Sequence, residues 1–253
     1  MKVYKLYFSP TGGTKKVIDR LASVWDCQKV EIDLSDMKYE LSNIVFEKTD
    51  VCIVAVPSFS GRVPQFIIPK LKGMKGIGVK AILVTTFGNR AFDDTLIELQ
   101  NTLQSVGFCC VCAVAAVTEH SVMPKYGKGR PDQSDKKELD AFAKKCKNVV
   151  ENIDGQLVVP GNRPYRKYLT IPIKPKVNKN CNRCGLCMLR CPVQAIPSDI
   201  RNVDKDKCIS CLQCVKVCPK NARYVSRFMQ KIAEIKMKKL CKDRKQNQLF
   251  LPQ

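Results

Sequence analysis

The chain has 253 residues, 45% of them apolar, and its 44 basic and 23 acidic residues give a net charge of +21. That length can hold two domains, and the composition is that of a soluble globular protein, because the longest apolar run, residues 108–117, is too short to span a bilayer. Met1 leads into a strand-like segment without an export signal, so a cytoplasmic location is expected, and fifteen cysteines suit a reducing compartment such as that of an anaerobe.

Residues 2–8 are β-branched and aromatic and predict a strand. Ser9-Pro10-Thr11-Gly12-Gly13-Thr14 follows, and then a helical pattern with Val17, Ile18, Leu21, Ala22 and Trp25 on one face. A loop of small hydroxyls and glycines between strand and helix is a phosphate cradle: the backbone can approach an anion, and the helix start supplies orphan amides. The loop matches neither the P-loop nor the G-x-G-x-x-G pattern, and an ordinary turn with a threonine cap is the competing reading.

Further strands are predicted at 28–34, 51–56, 80–86 and 108–117, with helices at 64–72, 91–106 and 134–153. This alternation predicts an α/β fold, a five-stranded parallel sheet with helices on both faces. Ligands of such sheets bind at the carboxyl ends of the strands. There the chain carries Pro57-Ser58-Phe59-Ser60-Gly61, Phe87-Gly88-Asn89-Arg90 and Glu119-His120-Ser121. The glycines at 73, 76 and 78 read as a turn, so no dinucleotide site is visible.

Residues 1–154 form the expected first domain, and 155–179 a proline-rich, basic linker that should pack on it. A second, small α+β domain is expected at 180–223. It contains Cys181-Asn-Arg-Cys184-Gly-Leu-Cys187-Met-Leu-Arg-Cys191-Pro192 and Cys208-Ile-Ser-Cys211-Leu-Gln-Cys214-Val-Lys-Val-Cys218-Pro219. This is C-x2-C-x2-C-x3-C-P written twice, in which the fourth thiolate of each run ligates the other cluster. One 4Fe-4S cluster is assigned to Cys181, Cys184, Cys187 and Cys218, the other to Cys208, Cys211, Cys214 and Cys191. A four-cysteine zinc site would use neither the third cysteine nor the Cys-Pro ending.

Residues 224–253 are expected to form a basic amphipathic helix and a tail, with Val225, Phe228, Met229, Ile232 and Ile235 on one face. That face is expected to pack on the module or linker; membrane-surface contact or partner docking is the alternative. Residues 155–253 hold 22 basic and 5 acidic residues, which implies an acidic partner. The basic residues are not interleaved with stacking aromatics, so nucleic acid is not expected.

The cysteine segment resembles the bacterial two-cluster ferredoxins. The first domain resembles flavodoxin, in which the hydroxyl loop binds the phosphate of FMN and the loops after strands three and four enclose the isoalloxazine ring. By that resemblance Ser9, Thr11, Gly12, Gly13 and Thr14 match the phosphate loop. Pro57, Ser58, Phe59, Ser60, Gly61, Phe87, Gly88, Asn89 and Arg90 fall in the ring loops. Phe59 and Phe87 stand where a Trp or Tyr is usual, and the single tryptophan, Trp25, is on the first helix. The Thr86-to-Arg90 run leading into Asp93-Asp94-Thr95-Leu96, joined to two cluster motifs, resembles the flavodoxin/ferredoxin fusions of anaerobes as far as about residue 225.

The resemblance implies FMN and two 4Fe-4S clusters in an electron-transfer flavoprotein that exchanges electrons with an acidic redox protein. A flavin-dependent reductase of a small substrate, fed by its own clusters, is the alternative. His120, the single histidine, reads either as a surface residue without a role or as a flavin neighbour that donates a hydrogen bond or helps a proton arrive.

Overall fold

The computed structural model describes residues 1–152 and 154–253. Five strands, β1 (Val3–Tyr7), β2 (Lys29–Asp33), β3 (Val51–Pro57), β4 (Lys80–Phe87) and β5 (Cys109–Val117), pair in parallel in the order β2-β1-β3-β4-β5. The three central strands β1, β3 and β4 are buried almost end to end because helices cover both faces. On one face lie α1 (Gly13–Ala22) and α4 (Gln133–Glu151), packed through Val17, Ile18, Leu21, Trp25 and Leu139. On the other lie α2 (Ile67–Lys72) and α3 (Thr95–Gln104), packed through Ile67, Leu71, Leu96 and Leu103.

The sheet has six strands rather than the expected five. The C-terminal tail returns as β8 (Gln248–Phe250) and pairs antiparallel with Ala113–Ala115 of β5. Local pattern gave no sign of so short a strand; it forms because the outer edge of β5 would otherwise expose unpaired amides. Two helices also start later than periodicity suggests. Pro64 opens a turn that accepts the Ile67 N–H, and Asn89 and Asp93 take left-handed backbone that no helix admits. The last residue of the predicted 134–153 helix, Ile153, lies outside the described residues.

The linker packs on the first domain as a strap. Leu157 and Val159 enter its core, and Asp94 accepts from the amides of Asn162 at 2.8 Å and Arg166 at 2.6 Å. Ser60 donates to the Leu169 carbonyl, and Arg62 to that of Arg166. The strap leads to a two-stranded sheet, β6 (Lys176–Val177) against β7 (Arg223–Tyr224), which brackets the cysteine module with its short helices α5 (Leu186–Leu189) and α6 (Gln213–Lys216).

The C-terminal helix α7 (Arg227–Cys241) packs by a different stripe from the expected face, of which Val225, just before the helix, is nevertheless buried. Ala233 and Met237 face inward with buried Cys241, whereas Phe228 and Ile235 are 73% and 66% exposed. Polar anchors set this rotation: Gln230 donates to the Val122 carbonyl, and Tyr126 to that of Glu234. Small Ala233 and flexible Met237 permit close approach where bulkier Phe228 and Ile235 would not. Among the described residues, no helix is long and apolar enough to cross a membrane.

Candidate functional site

A cavity of about 390 Å³ opens at the carboxyl ends of β1, β3, β4 and β5. Pro10, Thr11, Gly13 and Thr14 line one end. The fold forms this loop from Gly12, whose φ of +93° strains any residue with a side chain, and from Ser9, whose Oγ accepts the Lys15 amide at 2.8 Å. Thr14 shares a buried 2.8 Å hydroxyl contact with Thr86 of β4. Gly12 donates to Ser9 and Lys16 to Gly12, while the Thr11, Gly13 and Thr14 amides have no protein partner among the described residues. Orphan amides and hydroxyls at the start of a ten-residue helix fit a phosphate group. Ser9 and Gly12 stand behind this surface and shape it.

The loop after β3 supplies a wall. Phe59 and Arg62 exchange both backbone hydrogen bonds around Ser60 and Gly61, which both have positive φ. Pro57, Ser58, Phe59, Ser60 and Gly61 all face the cavity. A Cβ on Gly61 would lie 2.1 Å from an Asp93 carboxylate oxygen, so the close approach requires glycine. Arg62 makes a two-pronged ion pair with buried Glu98, at 2.8 and 2.5 Å, which holds this turn and the strap together.

From the loop after β4, Phe87, Gly88 and Arg90 reach the cavity, and Asn89 does not. Asn89 donates to the carbonyls of Cys241 and Asp243 and accepts from Lys245, so its amide group is committed to the C-terminal segment. Sequence order placed it beside the ring; its left-handed φ of +63° turns it away. Phe87 is buried against Phe92 and forms floor rather than a free stacking face. Arg90 is paired with Asp93.

His120 is no plain surface residue. Its ring lies so close to Gly88 that a Cβ there would be 2.6 Å from Cγ and Cδ2. Its Nδ1 accepts from the amides of Val122 and Met123 at 3.2 Å each, which leaves the proton of the neutral ring on Nε2. Burial lowers its pKa to about 4, and the Arg90 charge acts in the same direction. A neutral Nε2–H donor with no protein partner among the described residues thus borders the cavity.

The C-terminal half closes the cavity. Leu169, Ile171 and Ile173 of the strap, Ala233, Met237 and Leu240 of α7, and Ile209 and Ser210 of the second cysteine run form its roof. None of these was singled out from sequence, because none carries a local signal.

The two cysteine runs adopt one backbone twice. Arg183 and Ser210, Gly185 and Leu212, and Gln194 and Asn221 pair off as left-handed residues. Ala195 donates to Cys191 Sγ at 3.3 Å and Ala222 to Cys218 Sγ at 3.2 Å. Cys181, Cys184, Cys187 and Cys218 surround one void, which is the crossed set expected for the first cluster. The charges of Cys214, Cys191 and Cys208 all add to the burial that raises the Cys211 pKa, so these four sulfurs also stand together. Bound iron would reverse that shift, since a coordinating thiol is deprotonated. Among the described residues, no group of three or more His, Cys, Asp or Glu side chains is placed to hold a single metal ion.

Residues 178–194 and 201–224 each match a family model described as a 4Fe-4S binding domain. An uncharacterized protein of Methanocaldococcus jannaschii is 38% identical over 64 residues, 23% of this chain and 26% of that relative, so the chain spans about a quarter of the relative's length. Among solved structures, oxidised flavodoxin 1 from Bacillus cereus is 18% identical and matches 61% of this chain and 100% of its own, with a TM-score of 0.47. A flavodoxin from the domain Archaea is 14% identical and matches 60% of this chain and 100% of its own at 0.44. Rubredoxin oxygen:oxidoreductase from the anaerobe Desulfovibrio gigas is 18% identical and matches 59% of this chain and 36% of its own, also at 0.44.

The β2-β1-β3-β4-β5 order and the two cysteine motifs define the class: a flavodoxin-like α/β domain combined with a ferredoxin-type iron-sulfur module. The same chain thus carries a flavodoxin-like fold in its first part and, further on, two segments that match 4Fe-4S binding-domain models.

Proposed function

We propose that the chain relays electrons between two 4Fe-4S clusters and FMN, and on to or from a redox partner protein. One observation carries the reading: Ile209 and Ser210, between cluster ligands Cys208 and Cys211, line the same cavity as the phosphate loop and the ring loops. The cluster held by Cys208, Cys211, Cys214 and Cys191 is then proximal to the flavin. That of Cys181, Cys184, Cys187 and Cys218 is distal, and its Cys184 is exposed for exchange with the partner.

A flavin holds one or two electrons and a cluster passes one at a time, so the pair converts between single and paired electrons. The Thr11, Gly13 and Thr14 amides hold the phosphate, the turn from Ser58 to Gly61 and Gly88 flank the ring, and His120 offers Nε2–H to it. The apolar roof excludes water. Acidic redox proteins suit the basic C-terminal half, by steering that salt weakens.

The test is an anaerobic reductive titration with iron and FMN counted. About eight irons, one FMN and electrons that equilibrate between the two chromophores are expected. Absence of FMN, or independent reduction, defeats the reading. The enclosure by Ile171, Ile173, Met237 and Leu240 favours one alternative, reduction of a small substrate at the flavin. Turnover of a small acceptor with no protein partner added would establish it.

A further inference from the structure

The two halves of the cysteine module share a backbone but differ at one buried position. After each Cys-Pro pair the chain reads Cys191-Pro192-Val193-Gln194-Ala195-Ile196 and Cys218-Pro219-Lys220-Asn221-Ala222-Arg223. Ala195 and Ala222 are equivalently buried, and each donates to its own cysteine sulfur. The next residue is Ile196 in one repeat, 4% exposed, and Arg223 in the other, 2% exposed.

A guanidinium removed from water needs partners for its five N–H groups. Arg223 donates through Nη2 to the Ile200 carbonyl. Its Nε and Nη1 are buried with no partner among the described residues. No carboxylate pairs with it in any ion pair described. Instead, it lines the void enclosed by Cys181, Cys184, Cys187 and Cys218. The cation, with two of its three nitrogens lacking a partner, therefore borders the place where four thiolates would hold an anionic cluster.

We propose that Arg223 donates to the sulfurs of the distal cluster and raises its reduction potential above that of the proximal cluster, which has Ile196 at the matching place. This rests on the crossed assignment of cysteines to two 4Fe-4S clusters. Each cluster gains one electron on reduction and no proton moves, because arginine keeps its proton throughout. The added negative charge is stabilised by a nearby buried cation and by hydrogen bonds to sulfur. Solvent at Cys184 acts in the same direction. An electron shared by the clusters then settles on the distal, solvent-facing one, so the downhill direction within the module runs from the flavin side outward.

The test is an EPR-monitored redox titration of the full holoprotein beside Arg223→Ile, which copies the other repeat, and Arg223→Lys, which keeps the charge. Each signal is assigned with Cys184→Ser and Cys208→Ser backgrounds. Removing the cation is expected to change the distal cluster's one-electron equilibrium at least tenfold toward the oxidised form, a shift of about 59 mV. The proximal cluster, whose ligand Cys214 also feels the Arg223 charge, should move less, and Arg223→Lys should recover part of the loss. Equal shifts of both clusters, or no shift with about eight irons retained, would overturn the proposal. Fewer than eight irons in the unmodified protein would instead remove the two-cluster reading itself. Should Arg223→Ile fail to load clusters, Arg223→Gln, which removes the charge and keeps a donor, carries the same comparison.

Discussion

Asn89, in the loop after β4, donates through Nδ2 to the Cys241 carbonyl at the end of α7, a 2.8 Å bond between residues 152 positions apart. The same side chain donates to the Asp243 carbonyl at 3.0 Å and accepts the Lys245 amide at 3.1 Å. One buried amide thus fixes the helix that roofs the cavity. Asn89→Ala strands these backbone groups and should cost about 2 kcal/mol in urea unfolding. Limited proteolysis should cut the variant first beyond residue 241; unchanged protection of that segment would refute the anchoring role.

Arg62, half-buried, and buried Glu98 form a two-pronged pair, and Arg62 also holds the strap through the Arg166 carbonyl. Glu98→Gln leaves the cation uncompensated and should destabilise the fold by about 3 kcal/mol. The double variant Arg62→Met with Glu98→Gln should recover part of this, as denaturant midpoints would reveal.

Gly88 lies against the imidazole of His120. In Gly88→Ala the new Cβ cannot share that space, so ring and loop must separate. FMN affinity, followed by flavin fluorescence quenching, should weaken about tenfold, while the circular dichroism of the fold stays intact. Unaltered affinity would place His120 away from the flavin.

The His120 pKa of about 4 lies below its unfolded value of 6.5, so the unfolded chain binds the extra proton first as pH falls. This stabilising contribution is complete above pH 6.5 and is lost between 6.5 and 4, by at most roughly 3 kcal/mol. His120→Gln should flatten that part of the stability curve. Equal slopes for both proteins across the window would contradict the burial argument.

Cys184→Ser and Cys211→Ser should each lower the iron content from about eight to about four. Their effects on the flavin should differ. Loss of the proximal cluster through Cys211 should slow flavin reduction by an external one-electron donor, and loss of the distal one through Cys184 should slow exchange with a protein partner. Stopped-flow absorbance separates the two outcomes.

The sequence by itself determined the parts of this protein whose physics is local. The α/β alternation follows from periodicity, and the loop of small residues between the first strand and helix and the fixed cysteine spacing are read directly from the chain; Cys181, Cys184, Cys187 and Cys218 line one void. The difference between Ile196 and Arg223 was also present in the two repeats, although its meaning depends on burial. What tertiary structure alone decided was which groups meet. Asn89 turns from ring loop to tail anchor because its backbone is left-handed and a distant segment supplies its partners. The C-terminal helix presents Ala233 and Met237 inward, against its apolar pattern, because polar bonds to Val122 and Tyr126 fix its rotation. The strand at Gln248–Phe250 exists only because β5 leaves an edge to fill. Such choices balance contacts between residues far apart in the chain, and no local spacing encodes that balance.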